Sequence, residues 1–235
     1  MSSTTPRHDG RGRAILAIDT STSRVVVAVG TPTGEPLGLT WWPAQHRHGE
    51  QLLPSIGRVL GEANVRRSRL DAIVVGSGPG AFTGLRVGMA TAKALAHALG
   101  VPIIGVATSD ALIAAAASDG TGEGSIVLLL PAGPSDRVVA RHGEPAHLLR
   151  GGDEPDIRPG EVLVAIDLEG RAPPEALERG NRARERLGHE LLRLGAARLR
   201  AGDTDDLAGL VPAYVTLPRG VSSPSGEVTW SRDPR

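Results

Sequence analysis

The residues with the most chemistry in their spacing are Gly76-Ser77-Gly78-Pro79-Gly80-Ala81-Phe82-Thr83-Gly84-Leu85-Arg86-Val87-Gly88. Glycines at this density let a backbone approach whatever it faces. At the start of a helix, free N–H groups and the helix dipole favour a phosphate or carboxylate. The same glycines also serve a structural end, because they adopt positive φ and let a helix pack tightly on a sheet. Spacing leaves both readings open. It excludes two familiar phosphate loops: there is no Gly-Lys-Ser/Thr ending, and no acid ends the next strand to hold a ribose. A second candidate is the hydroxyl-rich turn Asp19-Thr20-Ser21-Thr22-Ser23. In a phosphotransfer site Asp19 would position a metal-bound water. Thr20 and Ser21, with Gly78, Gly80 and Thr83 of the glycine stretch, would face phosphate. His46, His48 and Glu50 suggest a metal. However, histidines two apart diverge on a helix, and no third ligand is visible, so a solvated patch and no metal are expected. Ser77 sits in a strand-to-helix turn, but there is no Gly-x-Ser-x-Gly elbow, and the chain has no cysteine. A peptidase is therefore not expected.

The elements around these residues follow from hydrophobic period. Ala72–Val75 is a short apolar run that suits a buried strand. After the glycines, Leu85, Met89, Ala92, Leu95, Ala96 and Leu99 recur at helical spacing until Gly100 and Pro102. The run Ile103–Val106 then closes a β-α-β unit. Upstream, the runs 14–18, 25–29 and 37–42 predict three antiparallel strands, with Asp19–Ser23 as the first turn. Leu52, Leu53, Ile56, Val59 and Leu60 predict an amphipathic helix with Pro54 in its first turn. Downstream, Ser109 caps a short helix over 111–117, and 119–125 is a glycine-rich loop. Strands follow over 126–130, 137–141, 146–149 and 161–167. Pro173 and Pro174 open a long helix whose Arg182, Arg184, Arg186, Arg193, Arg198 and Arg200 form a solvated face. Gly202 ends it, Asp203 or Thr204 caps a further short helix, and 211–217 is extended. The order suggests an α/β protein of two related subdomains. The Asp19-Thr20-Ser21 turn sits where actin-like and Hsp70-like ATPase (ribonuclease-H-like) folds place a phosphate-facing loop. The boundaries expected are a disordered tail over 1–12, an N-terminal subdomain over 13–110, a C-terminal subdomain over 111–218 and a flexible tail over 219–235.

Composition narrows the function. The 235 residues are 40% hydrophobic but only 2% Phe, Trp and Tyr, so the core must be aliphatic, and Trp41 and Trp42 stand out. Formal net charge is zero, which does not support generic electrostatic binding of nucleic acid. Residues 1–13 lack the apolar centre of a signal peptide, and no run is long enough to span a bilayer. The cytoplasm is the expected location.

Three stretches resemble the bacterial TsaB family: Ile15–Ser21, His48–Pro54 and Gly78–Gly88. The last is close to that family's Gly-Pro-Gly-Ser-Phe-Thr-Gly-Leu-Arg-Ile-Gly signature, which TsaB shares with its larger relative TsaD, the glycoprotease-like family. The resemblance is strong from about Ala14 to Leu112. It implies an accessory subunit with no catalytic residue of its own, since the His-x-x-x-His metal pair of TsaD is absent. The implied partners are a TsaD-like catalytic subunit and a TsaE-like ATPase, which together form threonylcarbamoyladenosine beside the tRNA anticodon. Pairing is implied through the two N-terminal helices, with Leu52, Leu53, Ile56, Val59, Leu60, Arg86, Met89 and Lys93 as interface residues. A homodimer through the same face is the implied alternative. No cofactor is implied for this chain, with ATP or ADP in the assembled complex and tRNA reached only through it. The sequence departs from the family at Pro131-Ala132-Gly133 and at Tyr214-Val215-Thr216. Read from the residues alone, the competing function is an actin-like nucleotide-binding protein with weak ATPase or phosphotransferase activity.

Overall fold

The structure is a computed structural model and describes residues 12–44, 48–118 and 125–215. The expected tails, the loop 119–124 and the candidate ligand His46 lie outside the described residues, as does the side chain of His48. The chain forms β1 (Ala14–Asp19), β2 (Arg24–Gly30), β3 (Pro36–Pro43), α1 (His48–Glu62), β4 (Leu70–Gly76), α2 (Phe82–Leu99), β5 (Ile103–Val106) and α3 (Thr108–Ser118). It continues through β6 (Ser125–Ala132), β7 (Asp136–Ala140), β8 (His147–Leu149), β9 (Glu161–Ala165) and α4 (Pro174–Arg200).

Two sheets repeat one plan. The first has the order β3-β2-β1-β4-β5 and the second β8-β7-β6-β9. In each, an antiparallel meander is extended by a parallel strand: β1 pairs β2 antiparallel and β4 parallel, and β6 pairs β7 antiparallel and β9 parallel. This is the actin-like α/β fold in two halves. β1 is buried on both faces, which is why it reads as an unbroken apolar run. Its alternate residues serve different cores. Ile15 and Ala17 join the layer under α3 and α4, whereas Ala14, Leu16 and Ile18 join the layer under α1 and α2. α4 crosses the back of the first sheet and also packs on β9 and α3, so one helix ties the two halves together. Its Leu187, Leu191 and Leu192 are fully buried, each contributing about 1.5–3 kcal/mol by removal from water. Among the described residues no helix is long and apolar enough to cross a membrane.

Three expectations change. α1 begins at His48, so Pro54 falls in its second turn rather than its first, on the exposed side of the helix. Residues 203–210 form turns instead of a capped helix, because Asp205 is drawn into a bridge with Ile103 at the edge of β5. The segment 211–215 joins no strand. Its Ala213 N–H instead donates to the Ser77 carbonyl, 2.7 Å away.

Candidate functional site

The two stretches with candidate chemistry lie against each other. The β1–β2 turn places Asp19, Thr20, Ser21 and Thr22 beneath the β4–α2 turn, and all four are buried. Their polar atoms are satisfied within the fold. Asp19 Oδ1 accepts from the Ser21 N–H at 2.8 Å and the Ser21 hydroxyl at 2.7 Å. Asp19 Oδ2 accepts from the Thr108 hydroxyl at 2.7 Å, and Thr108 Oγ1 in turn accepts from the Gly78 N–H at 3.1 Å. The Thr20 hydroxyl donates to the Gly84 carbonyl at 2.6 Å, and the Ala81 N–H donates to the Ser21 carbonyl at 2.7 Å.

This contact explains the glycine spacing. A Cβ on Gly80 would stand 2.2 Å from the Ser21 carbonyl oxygen, and one on Gly84 1.9 Å from the Thr20 carbonyl oxygen. Both obstacles are backbone, so neither can swing aside. Gly76 and Gly88 make the same kind of approach to Asp19 Oδ2 and Thr20 Oγ1. Four-residue steps put Gly80, Gly84 and Gly88 on one side of the turn and helix, and that side meets the β1–β2 turn. These close approaches are what the structural reading of the glycines calls for.

The phosphate-facing expectation rested on Asp19, Thr20 and Ser21. They are enclosed, and their hydrogen-bonding capacity is directed inward. Gly78 is buried and Gly80 faces Ser21, while Thr83 is exposed on the first turn of α2. Burial raises the Asp19 carboxyl above its ordinary 3.8, against the opposing pull of hydrogen bonds from Thr108 and Ser21. Among the described residues, no group of three His, Asp or Glu is placed to hold a metal ion.

The helix residues expected to meet a partner divide by burial. Leu52, Ile56, Val59, Leu60 and Met89 belong to the core between the first sheet and its helices, so in this chain they are core residues. Leu53 points outward and is 55% exposed. It borders a small apolar groove of about 150 Å³ that Ile56, Leu60, Leu95 and Leu99 also line. Arg86 is exposed at the start of α2, and Lys93 donates to the Ala208 carbonyl at 3.1 Å.

Sequence reasoning missed the clasp between the halves. Asp167, just after β9, holds φ of 55° and accepts from the Ser23 N–H at 2.6 Å, from the Ser23 hydroxyl and from Arg184. Arg184 is only 9% exposed, which corrects its place on a solvated face. It also donates to Asn181 Oδ1 at 2.6 Å. An arginine on a polar helix stripe gives no sign of its distant partner. Thr108 was likewise unmarked, although it lies at a strand-to-helix junction as Ser77 does.

Fold and site together define an actin-like α/β protein whose signature turn is spent on an internal joint. The model of the TsaD family, tRNA N6-adenosine threonylcarbamoyltransferase, matches residues 38–184, and the chain belongs to that family. Within it the chain falls with the TsaB proteins. It is 36% identical over 102 residues to the tRNA threonylcarbamoyladenosine biosynthesis protein TsaB of Haemophilus influenzae, covering 43% of this chain and 42% of that one. An uncharacterised protein of Mycobacterium leprae is 45% identical over 101 residues, covering 42% of this chain and 28% of that one. The chain thus spans less than half the length of these curated relatives. The structure of YeaZ from Pseudomonas aeruginosa shares the fold, with a TM-score of 0.65 and 24% identity over 86% of this chain and 99% of that one.

Proposed function

We propose that this chain is a non-catalytic subunit in tRNA threonylcarbamoyladenosine formation. In this reading it pairs through α1 and α2 with a TsaD-type catalytic subunit, and a TsaE-type ATPase completes the set. The observation that carries the proposal is a contrast. The Asp19–Thr22 turn is sealed by α2, while Leu53 and the groove beside it leave apolar surface open on α1 and α2. Exposed apolar surface of this kind suits a protein partner. The sealed Asp19 argues against hydrolysis of ATP by this chain alone, since a phosphotransfer site needs its carboxylate open to metal and phosphate.

The test is light scattering behind size exclusion on the chain alone and mixed with the TsaD-type subunit from the same organism. A one-to-one complex that Leu53→Glu abolishes, with the melting temperature unchanged, is the expected result. A wild-type complex that survives Leu53→Glu intact sinks the pairing face, and no complex at micromolar concentration sinks the pairing itself. A dimer of this chain that Leu53→Glu splits would assign the face to a second copy instead.

A further inference from the structure

We propose that the open edge of β3 pairs with β3 of a second copy of this chain, antiparallel about a two-fold axis at Thr40. The two five-stranded sheets then continue into one another.

A sheet edge carries unpaired N–H and C=O groups, and a chain that stays single has to guard them. The two sheets have four edges, formed by β3, β5, β8 and β9. At β5, Asp205 bridges to Ile103, its Oδ2 accepts from the Gly105 N–H at 2.7 Å, and the Gly105 carbonyl accepts from Arg198. β8 is only three residues long. At β9 the Leu163 carbonyl accepts from Arg179 at 3.1 Å. β3 has none of these guards. It is eight residues long, and among the described residues no strand or bridge lies beyond it. It carries no charged side chain, the commonest protection of an edge. A groove of about 280 Å³ opens along it, between Trp41, Trp42 and the Pro54 and Arg58 side of α1.

The ladder to β2 fixes which groups point outward. The Ala44 N–H donates to the Ser23 carbonyl at 2.7 Å, so Ser23 and Ala44 form a hydrogen-bonded position. Such positions alternate along an antiparallel pair, and the register runs on through Val25–Trp42 and Val27–Thr40. Trp42 and Thr40 therefore bond inward to β2, and the N–H and C=O groups of Leu39 and Trp41 point out. A second β3 turned about Thr40 sets Leu39 opposite Trp41 of the copy, and Trp41 opposite its Leu39. Every N–H and carbonyl at these positions then has a partner. Pro36 and Pro43 bound the same window on both strands, because proline cannot donate to a ladder.

The side chains fit the same match. Trp41 is 46% exposed, and the Arg24 guanidinium lies 4.0 Å from its ring centre. Leu39 is half-buried and, two residues away, lies on the same face of the sheet. In the pair each Trp41 meets the opposite Leu39, and on the other face Thr40 meets Thr40, both favourable cross-strand contacts. Pairing over so short an edge buries little area, so the dimer is weak and forms at high concentration. The Leu53 groove lies on the side of α1 that faces Leu95 and Leu99 of α2, away from this edge, and the proposal stands apart from pairing through α1 and α2.

The experiment is sedimentation velocity on the full chain from about 1 μM to about 1 mM, with amide exchange followed by NMR at both ends of that range. The mass is expected to move from monomer toward dimer. The Leu39 and Trp41 amides should gain protection at high concentration, while those of Thr40 and Trp42, already bonded to β2, stay unchanged. Trp41→Lys places a charge on the edge and should raise the dissociation constant roughly tenfold or more. Leu53→Glu should leave it unchanged. If Trp41→Lys does not fold, the exchange pattern of the wild-type chain decides. A monomer throughout the range overturns the proposal. So does a dimer whose Leu39 and Trp41 amides exchange as in the monomer, or one that Leu53→Glu splits and folded Trp41→Lys does not. A monomer whose two amides gain protection only when the α1–α2 partner is added overturns the second copy as well, and gives the edge to a strand of that partner.

Discussion

In the first sheet the turn after β1 lies buried under α2, and in the second the turn after β6 stands open beside a cavity. The strands leading into the two turns pair in the same way. The turns themselves differ in chemistry. Asp19–Thr22 offers a carboxylate and three hydroxyls, and the fold uses them to anchor α2, Thr108 and the glycine turn. The hairpin around Gly133 carries prolines and few polar side chains, and its tip is reached by Arg171, which donates to the Gly133 and Pro134 carbonyls. One topology therefore yields a structural joint in one half and an accessible wall in the other. The joint rigidifies the base of α2, and α2 carries both Phe82 and part of the apolar groove beside Leu53.

The sharpest way to break this comparison is at Gly84. Gly84→Ala places a methyl group 1.9 Å from the Thr20 carbonyl, where only a shift of α2 or of the turn can relieve it. That shift also disturbs the 2.6 Å bond from Thr20 to Gly84. Overpacking of this kind costs about 1–3 kcal/mol and more where backbone must move. Against the roughly 5–15 kcal/mol that holds a domain folded, a loss of ~3 kcal/mol or more is expected. Chemical denaturation measures it, and a loss below about 1 kcal/mol would mean that the joint is loose.

The second sheet has its own fixed point, at the end away from the open hairpin. Arg141 and Glu161 form a two-point ion pair at 2.7 and 3.1 Å, both side chains under one-tenth exposed. Arg141 holds the Glu161 carboxyl below its ordinary range. Removing one partner of a dry buried pair costs about 3–5 kcal/mol. The cavity of about 720 Å³ beside this pair admits water, so Glu161→Ala is expected to cost nearer ~2 kcal/mol. Denaturant melts should show this loss, and a loss indistinguishable from zero would mean that water screens the pair like one on the surface.

How much of this was legible depends on the range of the interaction. The strands and helices were readable because burial period is local: Ala14–Ile18 is apolar throughout, and Leu52, Ile56, Val59 and Leu60 share one face. The family resemblance pointed to the same stripe for partner contacts, and an apolar stripe does not say which of two surfaces each residue meets. Leu53 was distinguishable from Leu52 only once the helix was placed on the sheet. The glycine stretch was recognised at once, yet its purpose was not. The distinction between facing a phosphate and facing the Thr20 carbonyl depends on what lies across the turn, 64 residues away in sequence. Asp167 and Arg184 were missed for the same reason, since their partners sit in Ser23 and in each other.

A milder test compares glycines across the two turns. Gly133 has φ of 95°, and nothing lies within 4 Å of the point where an added methyl group would stand. Gly133→Ala therefore meets no steric obstacle and incurs only the backbone strain of positive φ, about 1 kcal/mol. Measured beside Gly84→Ala, it separates the conformational role of glycine from the role of close approach. Equal losses for the two variants would erase the contrast between the joint and the open hairpin.

The smallest effect, and the one that reads the joint most directly, is the response of Asp19 to pH. Burial holds its folded carboxyl above the ordinary 3.8, so the folded chain takes up a proton more readily than the unfolded chain does. Between 3.8 and the raised value the folded state binds more protons, and stability must fall as pH rises through that window. Above the raised value the contribution is flat. Asp19→Asn carries no charge to bury and lacks that slope. The amide can still accept from Ser21 but no longer accepts the Thr108 proton, which adds an offset independent of pH. The melting temperature of Asp19→Asn minus that of the wild type is therefore expected to grow as pH rises from 3.8 and then to level. Parallel curves would mean that Asp19 is solvated like an ordinary surface carboxylate. A wild type that gains on the variant as pH rises would mean that the hydrogen bonds from Thr108 and Ser21 outweigh burial, so that the turn is built to hold a carboxylate anion after all.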